Sequence, residues 1–119
     1  MPARITPMMH VPDVRATADW YTSIGFRLER TYEDCGECSW ALLSYGESEI
    51  MLNAGGVPSD AARREFDLYI QVDDVEAVSR HLSEKVEVVE PLYDAFHGMR
   101  EFIIRDCNRF WITFGTPMR

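Results

Sequence analysis

The stretches MHVPDV at residues 9–14 and IQVDDV at residues 70–75 share one shape. Val11 matches Val72, Asp13 matches Asp74, Val14 matches Val75 and Ala16 matches Ala77, all at a shift of 61. Further along, Leu42 meets Ile104, Ile50 meets Ile112 and Leu52 meets Phe114 at a shift of 62. A repeat of half a chain means one supersecondary unit used twice. Each half reads as a curved sheet with one helix on its back, unable to bury both faces alone. Paired halves can cup a shared cavity.

The hydrophobic pattern supports such a unit in each half. Residues 5–11 read as a strand, with Asp13 placed as the N-cap of a helix over 14–24 and Gly25 at its end. FRLERTYED, SWALLSY and EIMLNA then read as three strands. GGVPSDAARRE clusters Gly, Pro and Ser and reads as a linker, with one helical turn at 60–64. The order restarts with the strand FDLYIQV, the cap Asp74, a helix over 75–85 and the strands VEVVEPLY, MREFIIR and RFWITFG. The expected division is a first βαβββ module over 1–55, a linker over 56–65 and a second module over 66–119. The fold class is α+β: two βαβββ modules in tandem, forming curved mixed sheets around a cavity.

Composition narrows the partners. Twelve basic residues against twenty acidic ones give a net charge of −8. An acidic chain without a basic run is a poor nucleic-acid binder, since phosphate neutralisation dominates that affinity. An acidic groove suits cationic ligands. No apolar run approaches the roughly 18–20 residues of a membrane span, and the N-terminus does not read as a secretion signal. A cytoplasmic protein with no membrane partner is expected. Cys35, Cys38 and Cys107 make an odd count, against a disulfide framework. CGEC at 35–38 precedes a strand and lacks a second ligand pair, so it reads as a hairpin turn around Gly36 rather than a zinc or redox site.

Taken together, HVPDV, WYTSIGF, QVDDVEAV, GMREFIIRD and FWITFG resemble the vicinal oxygen chelate superfamily, the glyoxalase / bleomycin-resistance / extradiol-dioxygenase group. The resemblance spans essentially the whole chain. It implies two βαβββ modules, usually completed as a homodimer. Metal enzymes of that family take one ligand each from the first and last strands of each module. Those positions fall on Thr6, Met51, Asp67 and Thr113. Such metals want imidazole, thiolate or carboxylate, and only Asp67 qualifies. The resemblance therefore points to a metal-free branch with no cofactor. His10 and Glu49 are the nearest other candidate donors. Where the family usually has Asp-Pro-Asp-Gly, this chain has DCNR at 106–109, so Arg109 must accept a strained turn or the turn differs in type.

Period-2 alternation puts His10 and Met8 beside Thr6, Tyr69 and Gln71 beside Asp67, Glu49 and Asn53 beside Met51, and Trp111 beside Thr113. Ile5, Met9, Val11, Phe66, Leu68, Ile70, Val72, Ile112 and Phe114 then face the helices. Trp40 lies in a strand apolar on both faces and is not oriented by pattern. The loop over 93–99 holds Phe96 and His97, and in this family the matching loop often closes over the cavity. The expected ligand-binding set is Thr6, His10, Glu49, Met51, Asp67, Tyr69, Phe96, His97, Trp111 and Thr113. Structural roles compete: Tyr69 and Trp111 as core or interface, His10 as scaffold, Asp67 as the partner of Arg100 or Arg105. The expected function is binding of a small cationic or aromatic molecule. The alternatives are a metal-dependent glyoxalase- or dioxygenase-type enzyme, a metal-free enzyme using His10, Asp67 or His97 as acid–base groups, and a ligand-free dimeric scaffold.

Overall fold

The computed structural model describes residues 2–118. The chain forms two compact units, Met1–Ser59 and Asp60–Arg119. The first runs β1 (Met8–His10), α1 (Val14–Ser23), β2 (Arg27–Asp34), β3 (Glu37–Tyr45) and β4 (Ser48–Asn53). Its sheet has the order β1-β4-β3-β2, with β1 parallel to β4 and the other pairs antiparallel. The second runs β5 (Asp67–Gln71), α2 (Val75–Leu82), β6 (Glu87–Asp94), β7 (Met99–Arg105) and β8 (Trp111–Pro117). Its order β5-β8-β7-β6 repeats the pattern, with β5 parallel to β8. Two mixed four-stranded sheets, each with one helix, make this the expected α+β architecture.

Both helices start as their sequences dictate. Asp13 accepts from the Ala16 amide at 3.0 Å and Asp74 from the Ala77 amide at 3.1 Å. Each satisfies one otherwise orphaned N–H. At the end of α1, Gly25 takes φ +116°, the Phe26 amide donates to Tyr21 O and the Gly25 amide to Thr22 O. This is a Schellman turn, closed by the edge-on contact of the Tyr21 and Phe26 rings. Val14, Thr17, Ala18 and Tyr21 form the buried stripe of α1. Each helix packs on one sheet face, which buries Met9, Val11, Ala41, Leu43, Ile50 and Leu52 in the first unit and Phe102, Ile104, Ile112 and Phe114 in the second.

Strand register explains why the repeat shift changes from 61 to 62. Leu43 pairs with Ile50, and Ile104 pairs with Ile112. The counterpart of Ile104 is therefore Leu43, not Leu42, which pairs with Met51 as Ile103 pairs with Thr113. The β3–β4 turn closes over Gly46 and Glu47, with Gly46 at φ +59°. The β7–β8 turn closes between Asp106 and Phe110, leaving three residues. Its third, Arg109, sits at φ +73°, the left-handed position of a three-residue hairpin. The departure from glycine is thus absorbed by Arg109 itself. Asp106 steadies the turn by accepting from the Asn108 and Phe110 amides, both at 2.8 Å.

Several boundaries differ from the pattern reading. β1 is shorter than 5–11: pairing begins where Pro7 O accepts from the Met51 amide, and Ile5 is exposed rather than packed on a helix. Phe66 is also partly exposed, lying edge-on to Phe110. α2 ends at Leu82, where the Ser83 amide bonds Ser79 O. Residues 60–64 contain a bend at Ala62 and Arg63, not a helical turn. β6 tolerates Pro91 because it is an edge strand with irregular register there. CGEC is a hairpin, with Cys35 and Gly36 at φ +52° and +80° as a two-residue turn requires. None of the three cysteines is in a disulfide.

Candidate functional site

The helix-free face of the second sheet concentrates chemistry in three cross-strand rows. Register sets Asp67, Trp111, Arg105 and Glu87 in the first. Tyr69, Thr113, Ile103 and Glu90 form the second, and Gln71, Gly115, Glu101 and Tyr93 the third. Successive rows lie about 7 Å apart, two strand residues each.

Glu101 is the unusual member. Its residue is only 4% exposed, and a buried carboxylate persists only when its oxygens are satisfied. Tyr69 donates to Oε2 at 2.7 Å, Tyr93 donates to Oε1, and His97 Nε2 lies 3.2 Å from Oε2. Tyr69 reaches across the diagonal because Gly115 has no side chain: a Cβ there would run into the Tyr69 hydroxyl and come within 2.9 Å of Cζ. Burial pushes the Glu101 carboxyl up, but the Tyr93 and Tyr69 hydroxyls and the His97 charge outweigh it and hold the carboxyl below its ordinary value. Burial and then the bond to Glu101 raise both phenols, Tyr93 to about 12. The cluster at neutral pH is a carboxylate held by two neutral phenols.

The first row is organised by the segment before β5. Arg63 bonds Asp67 at 2.8 Å and lies 4.1 Å over the Trp111 ring. The partner of Asp67 is therefore Arg63, not Arg100 or Arg105. Trp111 Nε1 donates to Ala62 O at 3.3 Å and Arg105 to the same oxygen at 2.6 Å. Arg105 also pairs with Glu87, while its buried Nε has no hydrogen-bond partner. Arg100 spans Asp94 and Glu76 at 2.7 and 3.0 Å. It lines a cleft with Asp73, Asp74 and Thr116 that contains none of the expected site residues.

In the first unit, the helix-free face carries Met8, Met51 and Leu42 in one row and His10, Asn53, Trp40 and Tyr32 in the next. Register thus orients Trp40, opposite Asn53 and away from the buried Ala41. Glu49 pairs with Arg4 at 3.0 Å. His10 is level with Asn53, four strand residues from Glu49, or about 13 Å, so the two cannot hold one metal ion between them. Thr6 is half-buried ahead of β1.

The fit to a family-type metal is poor within each unit. Thr6 and Met51 supply no hard charged donor in the first. In the second, Thr113 is neutral and Asp67 is already engaged by Arg63. Among the described residues, no three His, Cys, Asp or Glu side chains gather as a metal-binding group. Pattern reading placed Asp67, Tyr69, Trp111 and Thr113 on one face, and the register agrees. It missed Glu101, Tyr93 and Arg63. Glu101 was signalled by alternation: once Phe102 and Ile104 face the helix, Glu101 must share the face of Thr113. Phe96 is fully exposed in the β6–β7 loop, its ring centroid 5.1 Å from that of His97.

Paired units of this topology define a class, and comparison supplies the family. Residues 5–114 match the Glyoxalase/Bleomycin resistance protein/Dioxygenase superfamily. The chain belongs to that superfamily. No curated protein matches the sequence. Among solved structures, it is similar to TioX from Micromonospora sp. ML1, at 22% identity and TM-score 0.79, covering 98% of this chain and 100% of that one. It is similar to the bleomycin resistance determinant encoded on transposon Tn5, at 18% identity and TM-score 0.76, covering 98% of each chain. A third is the bleomycin-binding protein of Streptomyces verticillus, solved with copper(II)-bleomycin, at 20% identity and TM-score 0.73 over the full length of both. No helix among the described residues is long and apolar enough to cross a membrane.

Proposed function

We propose that this chain binds a small organic molecule, cationic or aromatic, on the helix-free faces of its sheets, without a bound metal and as a homodimer. The observation that carries this reading is the second sheet's face, where Tyr69, Tyr93 and Trp111 stand with Asp67 and a buried Glu101. Aromatic walls with few, placed polar groups are what a ligand surface needs, and carboxylates beside aromatic rings favour cations. The donor set at Thr6, Met51, Asp67 and Thr113 supports the metal-free part. The bleomycin-binding relatives support the ligand class. His10, Glu49 and Met51 on the first sheet, with Thr6 ahead of it, and Phe96 on the β6–β7 loop complete the proposed contact set; His97, expected there too, is set instead against Glu101.

Calorimetry with bleomycin and a panel of aromatic cations tests the reading. For a compound that binds, Asp67→Ala and Trp111→Ala each lower affinity by tenfold or more while the chain stays folded. Unchanged affinity in both variants contradicts the assignment of the face.

A further inference from the structure

We infer that Glu101 anchors a cationic nitrogen of the bound molecule, and that His97 holds that place in the unliganded chain. This rests on the small-molecule reading and names its ligand class: an organic cation bearing a protonated amine, amidine or guanidine. A sheet position needing only packing has no use for a buried carboxylate, which is costly to desolvate. The two phenols stabilise Glu101 but bring no positive charge. Nor do its neighbours across the sheet. Glu90 adds negative charge near Tyr93, Arg105 is committed to Glu87 and Ala62 O, and Arg100 to Asp94 and Glu76. The basic group set against Glu101 is His97, whose side chain is 44% exposed. It comes from the short β6–β7 loop whose Phe96 is bare to solvent.

The carboxylate has an acceptor position left for a ligand. Oε2 already accepts from Tyr69 and His97, whereas Oε1 has Tyr93 alone, and a carboxylate oxygen takes two donors. Tyr69 is half exposed. The same face also contains a worked precedent. The Asp67 carboxylate and the Trp111 ring together hold a guanidinium, that of Arg63. Glu101 with Tyr69 and Tyr93 repeats that combination of acid and aromatic, with only an imidazole in occupation.

Benzamidinium and benzamide, equal in shape and different in charge, separate the possibilities when titrated at pH 8 against the full chain by calorimetry and by the His97 NMR signals. The expected result is benzamidinium binding at least tenfold tighter than benzamide, and a loss of tenfold or more in Glu101→Gln. His97→Ala should bind benzamidinium two- to tenfold tighter, because the imidazole no longer competes for Glu101, which a merely structural histidine would not do. That variant decides the question should Glu101→Gln fail to fold. Equal binding of the two probes, or unchanged or weaker binding in His97→Ala, overturns the proposal and leaves the small-molecule reading standing. No benzamidinium binding to either wild type or His97→Ala also overturns the anchor; the broader reading then stands or falls on the bleomycin and aromatic panel.

Discussion

Gly115 and Tyr69 show how one atom sets a site. Gly115→Ala places a methyl group where the Tyr69 hydroxyl lies, so the ring must swing away from Glu101. The expected cost is about 1–3 kcal/mol, the range for overpacking, read as a lower urea midpoint. The Tyr69 phenol should also titrate closer to its ordinary value in that variant. Proton linkage makes a second prediction. The Glu101 carboxyl is lowered in the fold, so its contribution is full above about pH 4.3 and is lost as pH falls through the folded value. Tyr69 and Tyr93 are raised, so theirs is full below about pH 10 and is lost as pH rises through their folded values. Urea midpoints should therefore form a plateau with an acid slope that flattens in Glu101→Gln. An unchanged acid slope there would place the acid sensitivity elsewhere. At this scale the sequence was half legible. Alternation sorted the faces within the observed strands, but nothing local says that Tyr69 crosses Gly115 to reach a residue 32 positions away.

Caps, turns and a docked segment govern the elements. Asp13→Ala and Asp74→Ala each remove one cap bond at matching positions of the two units. Each should cost about 1 kcal/mol, checked by thermal or urea unfolding. The segment at 60–65 contains no regular structure, yet Arg63, Ala62 and Ala61 bond to β5, β7, β8 and the turn residue Arg109. Arg63→Ala should change Trp111 fluorescence and cost less than 1 kcal/mol, because the Arg63–Asp67 pair is solvent-exposed. Helices and most strands were readable because capping residues and apolar periodicity are local signals. The docking of 60–65 was not, because its bonds use backbone carbonyls, which carry no sequence signature. The 61-to-62 slip was visible as a number, and only strand pairing showed it to be one extra residue in the β7–β8 turn.

At the scale of the whole molecule, the same topology is built twice from sequences that share little beyond caps and core positions. The fold alone does not fix a function, which depends on the side chains it carries. At the positions where the resemblance puts the family enzymes' metal ligands, this chain has two threonines, a methionine and an aspartate bound to its own arginine. Its chemistry is concentrated instead around Glu101 and Trp111. The most direct test is melting temperature with metal analysis on one preparation, with divalent ions and then with bleomycin and aromatic cations. A ligand specific to the folded state raises the melting temperature by mass action. The account predicts no rise with Zn, Ni, Mn or Fe, no stoichiometric metal, and a rise with an organic cation that Glu101→Gln abolishes. One tightly bound metal per chain, stabilising the fold, would contradict it.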